Sequence, residues 1–195
     1  MEITAAMVKE LRSQSGAGIM ECKSALKETQ GDLEEAITFL RKKGLAKADK
    51  KSDRQTSEGV IGSYIHQGGK VGVMLELNCE TDFVANTPDF QTLVKDIAMH
   101  IAAAKPRFAT REEVTEVILE KEREIFAHQA KESGKPENII EKIVTGKMEK
   151  FYEENCVLEQ PFIKDTNVTI GELIKQKIAL LGENINIGQF SRFEI

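Results

Sequence analysis

The chain has 195 residues, 41% hydrophobic and 30% charged, with a formal net charge of −5. That length holds a small domain and a medium one. The apolar runs are far shorter than a membrane span, and the negative balance argues against general binding to a phosphate backbone, so neither membrane nor nucleic acid is expected as a partner.

Met1-Glu2-Ile3-Thr4 has no basic region leading into an apolar stretch, so no secretory signal is read there. Cys22, Cys79 and Cys156 are too scattered for a disulfide framework or a zinc site. A cytoplasmic location follows as the expectation. In chain order, the first residues read as three short helices. Thr4 caps the first, with Met7, Val8 and Leu11 on one face. Ser15-Gly16-Ala17-Gly18 is a turn, and the second helix turns Cys22, Ala25 and Leu26 inward. Asp32-Leu33-Glu34-Glu35 opens the third, where Leu33, Ala36, Ile37 and Leu40 form a helical stripe that Gly44 ends. Residues 1–44 thus read as a three-helix bundle and 45–57 as a basic linker with few apolar residues to bind it down.

Residues 58–195 read as an α+β core. Strands over 60–65 and 71–77 flank a turn at Gly68-Gly69. Thr87-Pro88 starts a helix with Phe90, Leu93, Val94, Ile97 and Ile101 on one side, which Lys105-Pro106 stops. Thr110-Arg111-Glu112-Glu113 reads as a capping box for a charged helix to about Ser133, over a Val114-Val117-Ile118 stripe. Gly134 and Pro136 punctuate the next boundary, and a further helix carries Ile140, Ile143, Val144, Met148 and Phe151. Residues 158–164 are extended, Thr169-Ile170-Gly171-Glu172 caps a last helix to Leu181, and residues 184–195 are strand-like with a bulge at Gly188. The basic cluster from Arg41 to Arg54 has the charge to touch RNA, but it lacks aromatic residues for base stacking and reads first as a solvated helical extension and linker.

Catalytic and cofactor signatures are not found in the sequence. The three histidines are isolated, no spacing suits a metal, and no phosphate loop or dinucleotide fingerprint occurs. No cofactor and no catalytic set are therefore assigned. A thiol enzyme pairing Cys79 with His100 is one alternative; a peptide-binding bundle is another. The stretch that remains is Asn78-Cys79-Glu80-Thr81-Asp82-Phe83-Val84-Ala85, where an alternating strand runs into a helical turn capped by Thr81. On residues alone, Phe83 either fills the local core or faces a partner.

Three motifs, in order, carry a resemblance. They are Leu11-Arg12 with Gly16-Ala17-Gly18 and Cys22-Lys23-Ser24-Ala25-Leu26, then Thr81-Asp82-Phe83-Val84, and finally Gln160-Pro161-Phe162 with Arg192-Phe193-Glu194. Together they are similar to bacterial elongation factor Ts, the nucleotide-exchange factor for the GTPase elongation factor Tu. The N-terminal motif departs from the family at Ser15, Ile19 and Glu21, where Thr, Met and Asp are commoner. The resemblance implies an exchange factor that makes no bond and is not an enzyme. It implies a ubiquitin-associated-like bundle, and Thr81, Asp82, Phe83 and Val84 as the partner-binding motif that disturbs the GTPase's magnesium site. It further implies contacts through Met20 and Lys23 in the bundle and near His66 in the core; the residues themselves equally allow Met20 as core packing and Lys23 as a solvated charge. Longer members have a core of two related halves. Length for one implies a homodimer, with Ile185, Ile187, Phe190 and Phe193 as candidate contributors.

Overall fold

A computed structural model describes residues 3–132 and 136–195. The expected start of the boundary at Ser133-Gly134 lies outside them. In chain order the elements are α1 (Ala5–Ser15), α2 (Ile19–Glu28), α3 (Leu33–Asp49), β1 (Glu58–Ile65), β2 (Val71–Cys79), α4 (Asp82–Ala85), α5 (Pro88–Ala104), α6 (Glu116–Glu132), α7 (Glu137–Asn155), β3 (Pro161–Phe162), β4 (Asp165–Thr169), α8 (Ile170–Leu181) and β5 (Ile185–Glu194). The class is α+β. One antiparallel sheet has the order β1-β2-β5 and a small hairpin joins β3 to β4. The residues group into two compact units, one of Met1–Gly59, Asn78–Phe90 and Ile174–Asn186, the other of Val60–Leu77, Gln91–Leu173 and Ile187–Ile195.

In the first unit, α1, α2 and α3 close around Leu11, Cys22, Ala25, Leu26 and Ala36, with Met7, Val8, Leu33, Ile37 and Leu40 packed beside them. The caps do what their residue types suggest. Thr4 accepts from the Met7 amide at 3.3 Å and Asp32 from the Glu35 amide at 2.8 Å. Gly16 takes the left-handed conformation that closes α1.

The expected stop at Gly44 does not occur, and α3 runs on to Asp49. Gly44 serves packing instead: a Cβ there would sit 3.3 Å from the Ala179 Cβ, so its absence lets α3 lie close to the end of α8. The segment read as a loosely held linker is tied down. Lys175 pairs with Asp49 at 2.7 Å, Lys51 donates to the Gly182 carbonyl, and Ala48 is buried.

The second unit holds most of the sheet and the long helices. Val73, Leu75 and Leu77 on β2 are buried, as are Leu93, Val94, Ile97 and Ile101 on α5. Strand and helix meet at Gly62, where a Cβ would fall 2.1 Å from Val94 Cγ1. Val94 is buried and branched, so it has little room to yield. Gly62→Ala is expected to lower the unfolding free energy by about 1–3 kcal/mol. An unchanged urea midpoint would show that the contact is looser than this.

The turn of the β1–β2 hairpin has Gly68 and Gly69 at φ +93 and +70, which glycine accommodates. Along β5, Ile185 and Ile187 are buried but the half-buried positions further on are Phe190 and Arg192. Inward-facing parity changes between 187 and 190, as an extra residue near the expected Gly188 bulge would cause. Burial also removes Ile185 and Ile187, at 3% and 9% exposure, from the candidate contributors to a dimer surface.

The capping box expected at Thr110–Glu113 does not open the charged helix. Arg111–Glu113 is a 3-10 turn, Glu113 accepts from the Ala109 amide at 2.8 Å, and α6 begins at Glu116. Val117, expected on the inner stripe, is exposed, whereas Leu119 packs with Val114, Ile118, Phe126 and Phe151. Arg111 fastens the base of the α6–α7 hairpin. It bonds Glu159 at 2.7 Å and Glu149 at 2.9 Å and lies over the Tyr152 ring, partners that hold it firmly protonated. The segment expected to be extended at 158–164 is instead the end of a 3-10 turn, β3 and the tight turn to β4. The reciprocal box at Thr169 and Glu172 does form, with bonds of 3.1 and 3.3 Å.

His100 is 1% exposed in this unit. Its Nε2 lies 2.9 Å from Gln160 Oε1, and Gln160 Nε2 donates to the Glu154 carbonyl at 2.8 Å. That orientation of the amide makes Nε2 the protonated nitrogen and leaves Nδ1 buried without a partner among the described residues. Burial pushes the His100 pKa down, and the Gln160 bond opposes this. Below about pH 6.5 the unfolded chain therefore binds a proton that the folded chain resists, and stability falls as pH falls. Melting temperature should drop between about pH 7 and 5 more steeply in the parent than in His100→Leu. Equal slopes would remove His100 as a source of acid sensitivity.

Candidate functional site

β2 ends at Cys79, and the chain turns at once into the single turn of α4. Thr81 is extended at φ −133 and ψ 153, and its hydroxyl accepts from the Val84 amide at 3.4 Å. Val84 and Ala85, at 5% and 4% exposure, anchor the turn from inside. The Asp82 carbonyl takes both the Asn86 amide and its side chain. Thr87 then caps α5 through the Phe90 amide at 3.3 Å, and Phe90 is fully buried. With Val84 pointing in, helical geometry turns Asp82 and Phe83 outward, and Phe83 is 79% exposed. The core-filling reading of Phe83 is thereby set aside.

Cys79 is buried and donates to the Thr81 carbonyl at 3.1 Å. Burial, and next the Glu183 carboxylate, push its pKa up, the wrong direction for a nucleophile. Cys156 is likewise buried, and its thiol is pushed up to about 11. Among the described residues no group of three or more His, Cys, Asp or Glu side chains gathers in a way that suits a metal.

The same unit carries Met20 and Lys23, both exposed on α2, while Cys22 beside them is buried. Met20 is 76% exposed and so is not core packing. Ile19, at 56%, adds to the exposed apolar surface at the start of this helix. Glu21 pairs with Lys47, which lowers its pKa. His66 belongs to the other unit. It is exposed beside the hairpin turn, with Nδ1 3.0 Å from the Tyr64 hydroxyl.

The corner also has partners that sequence reading missed. Glu183 takes the Thr81 amide at 3.0 Å and its hydroxyl at 2.6 Å. Glu80 takes the Asn184 amide at 2.6 Å, and the Asn184 side chain donates to the carbonyls of Ser52 and Arg54 at 3.0 and 2.8 Å. These pairs join residues about a hundred or more positions apart, and no local pattern marks them.

The family model described as "Elongation factor TS" matches residues 1–195. An elongation factor Ts from Fervidobacterium nodosum is 60% identical over 195 residues, covering 100% of this chain and 99% of that protein. Those from Solibacter usitatus and Geotalea uraniireducens are 58% and 57% identical, each over 100% of this chain and over 92% and 90% of their own lengths. A match that runs through the bundle, the corner and the final strand alike shows that the chain belongs to the elongation factor Ts family of translation elongation factors.

Proposed function

We propose that this chain is a guanine-nucleotide exchange factor that binds elongation factor Tu in its GDP form and speeds GDP release. The observation that carries the reading is Phe83, 79% exposed on a turn whose neighbours are buried and capped. An exposed aromatic ring on a rigid corner is suited to enter a pocket of a partner. In this reading Phe83 is the wedge, Asp82 disturbs the polar network around the partner's magnesium, and Thr81 and Val84 hold the corner. Magnesium is a sensitive target because it tolerates little departure from octahedral geometry. No bond is made or broken, so the factor is not an enzyme and uses no cofactor. Its effect is linkage: whatever preference it has for the empty GTPase weakens GDP binding by the same factor.

The three-helix bundle, whose last helix runs to Asp49, serves as the module that grips the nucleotide-binding domain through Met20 and Lys23, the residues from there to 57 join it to the core, and 58–195 carry the corner, the His66 contact and a homodimer surface. The working compartment is the cytoplasm. The test is stopped-flow release of labelled GDP from elongation factor Tu at physiological magnesium. Substoichiometric protein should accelerate release. No acceleration at any concentration would end the proposal.

A further inference from the structure

We propose that Glu183 is a positioning residue for the exchange corner, fixing the direction in which Asp82 and Phe83 point; this rests on the exchange reading above. α4 has four residues, far too few to hold a helical turn unaided. Its cap is a long bond, 3.4 Å from the Val84 amide to Thr81 Oγ1. A threonine hydroxyl can rotate, and a rotated hydroxyl offers its lone pair elsewhere. Glu183 removes that freedom. One carboxylate oxygen lies 2.6 Å from Thr81 Oγ1 and commits the hydroxyl proton, which leaves a lone pair for Val84. The other lies 3.0 Å from the Thr81 amide and holds the backbone. Both donors of one residue are thus gripped by one charged group, the strong form of hydrogen bond.

Glu183 is itself placed with care. Gly182 ends α8 at φ +84, a conformation that favours glycine, and its amide reaches the Ile178 carbonyl at 2.9 Å. The next residue, Asn184, gives its amide to Glu80 at 2.6 Å. The two pairs run in opposite senses: residue 80 accepts from 184, and 183 accepts from 81. Two adjacent residues at the end of β2 are therefore latched to two adjacent residues after α8. The Asn184 side chain extends the latch to the carbonyls of Ser52 and Arg54. A wedge acts well only if its direction is set before it meets the partner, because ordering it on contact consumes binding energy.

The test uses Glu183→Ala and Glu183→Gln in the full chain. Glu183→Gln keeps one acceptor for the Thr81 amide and should show a smaller effect; it carries the same comparisons if the alanine variant does not fold. In the free protein, hydrogen exchange of the bonded corner amides of Thr81, Val84, Ala85 and Asn86 should quicken about tenfold in Glu183→Ala, with α2 amides unchanged. At saturating factor, GDP release should slow about tenfold in the Phe83 background and show no further loss in Phe83→Ala. Unchanged exchange at the corner amides, or an equal loss in both backgrounds, would overturn the proposal. If the parent does not accelerate GDP release at all, the exchange reading falls, while the amide measurement still decides whether Glu183 orders the corner.

Discussion

Phe83→Ala is expected to slow GDP release from elongation factor Tu by about thirtyfold, the effect of losing an interface anchor worth on the order of 2 kcal/mol. The same change should barely move the melting temperature. A ring that is 79% exposed gives up little buried area when removed, and Val84 and Ala85, which anchor the turn, are untouched. Asp82→Ala should lose less, since in the proposed reading this exposed carboxylate acts on the partner's polar network and not through buried area. The contrast between rate and stability is the diagnostic. If exchange fell only in proportion to unfolded protein, the ring would be acting in the chain's own core. If the melting temperature held and exchange were unaffected, the corner would have no part in release.

The local elements were readable where a face is buried in the usual period. Leu11, Cys22, Ala25, Leu26 and Ala36 stand where helical spacing puts them, because each short helix has one side to hide. Caps at Thr4, Asp32 and Thr169 were readable for the same local reason. The errors came where tertiary contact outweighed a local signal. Gly44 looks like a helix stop, but the approach of Ala179 uses its missing side chain in mid-helix. Thr110 has the residues of a cap, yet Glu113 turns to the Ala109 amide and the chain makes a 3-10 turn. Ile185 is buried within the chain itself, and alternation along a strand does not say which face is covered.

At the site, the corner itself was legible in Thr81-Asp82-Phe83-Val84, whose cap is local and whose composition is unusual. Its exposure was not, since a sequence does not tell whether Phe83 or Val84 turns inward. Tertiary packing decides that, and it buries Val84 and Ala85. The Glu183 grip was invisible because its partner is 102 positions away.

If the chain pairs with a second copy as proposed, Met74→Glu is expected to leave it a monomer. Met74 lies on β2, the central strand of the order β1-β2-β5, and is 54% exposed. Around it the second unit leaves Ile61 at 69%, Ile65 at 66% and Phe193 at 66% exposed. Ile65, Met74, Phe193 and Ile195 line a shallow cavity of about 360 Å³ together with Gly72. Ile61, Ile65, Met74 and Phe193 on one sheet, with Ile195 just beyond it, are more than scattered surface residues, and such a patch suits a partner. We take a second copy of this chain as that partner, because a two-fold axis brings the patch against itself without leaving a new one open. A carboxylate introduced in this patch would be buried by the pairing without a counterion. Breaking the pairing in this way should cost about 3–5 kcal/mol and raise the dissociation constant roughly a thousandfold. Sedimentation at micromolar concentration under reducing conditions should give twice the 21.8 kDa protomer mass for the parent and the protomer mass for Met74→Glu. Folding is not at risk from the change, since the side chain points away from the buried row of Val73, Leu75 and Leu77. A parent that sediments as a monomer would refute the pairing, and a Met74→Glu protein that remains dimeric would move the interface to another face.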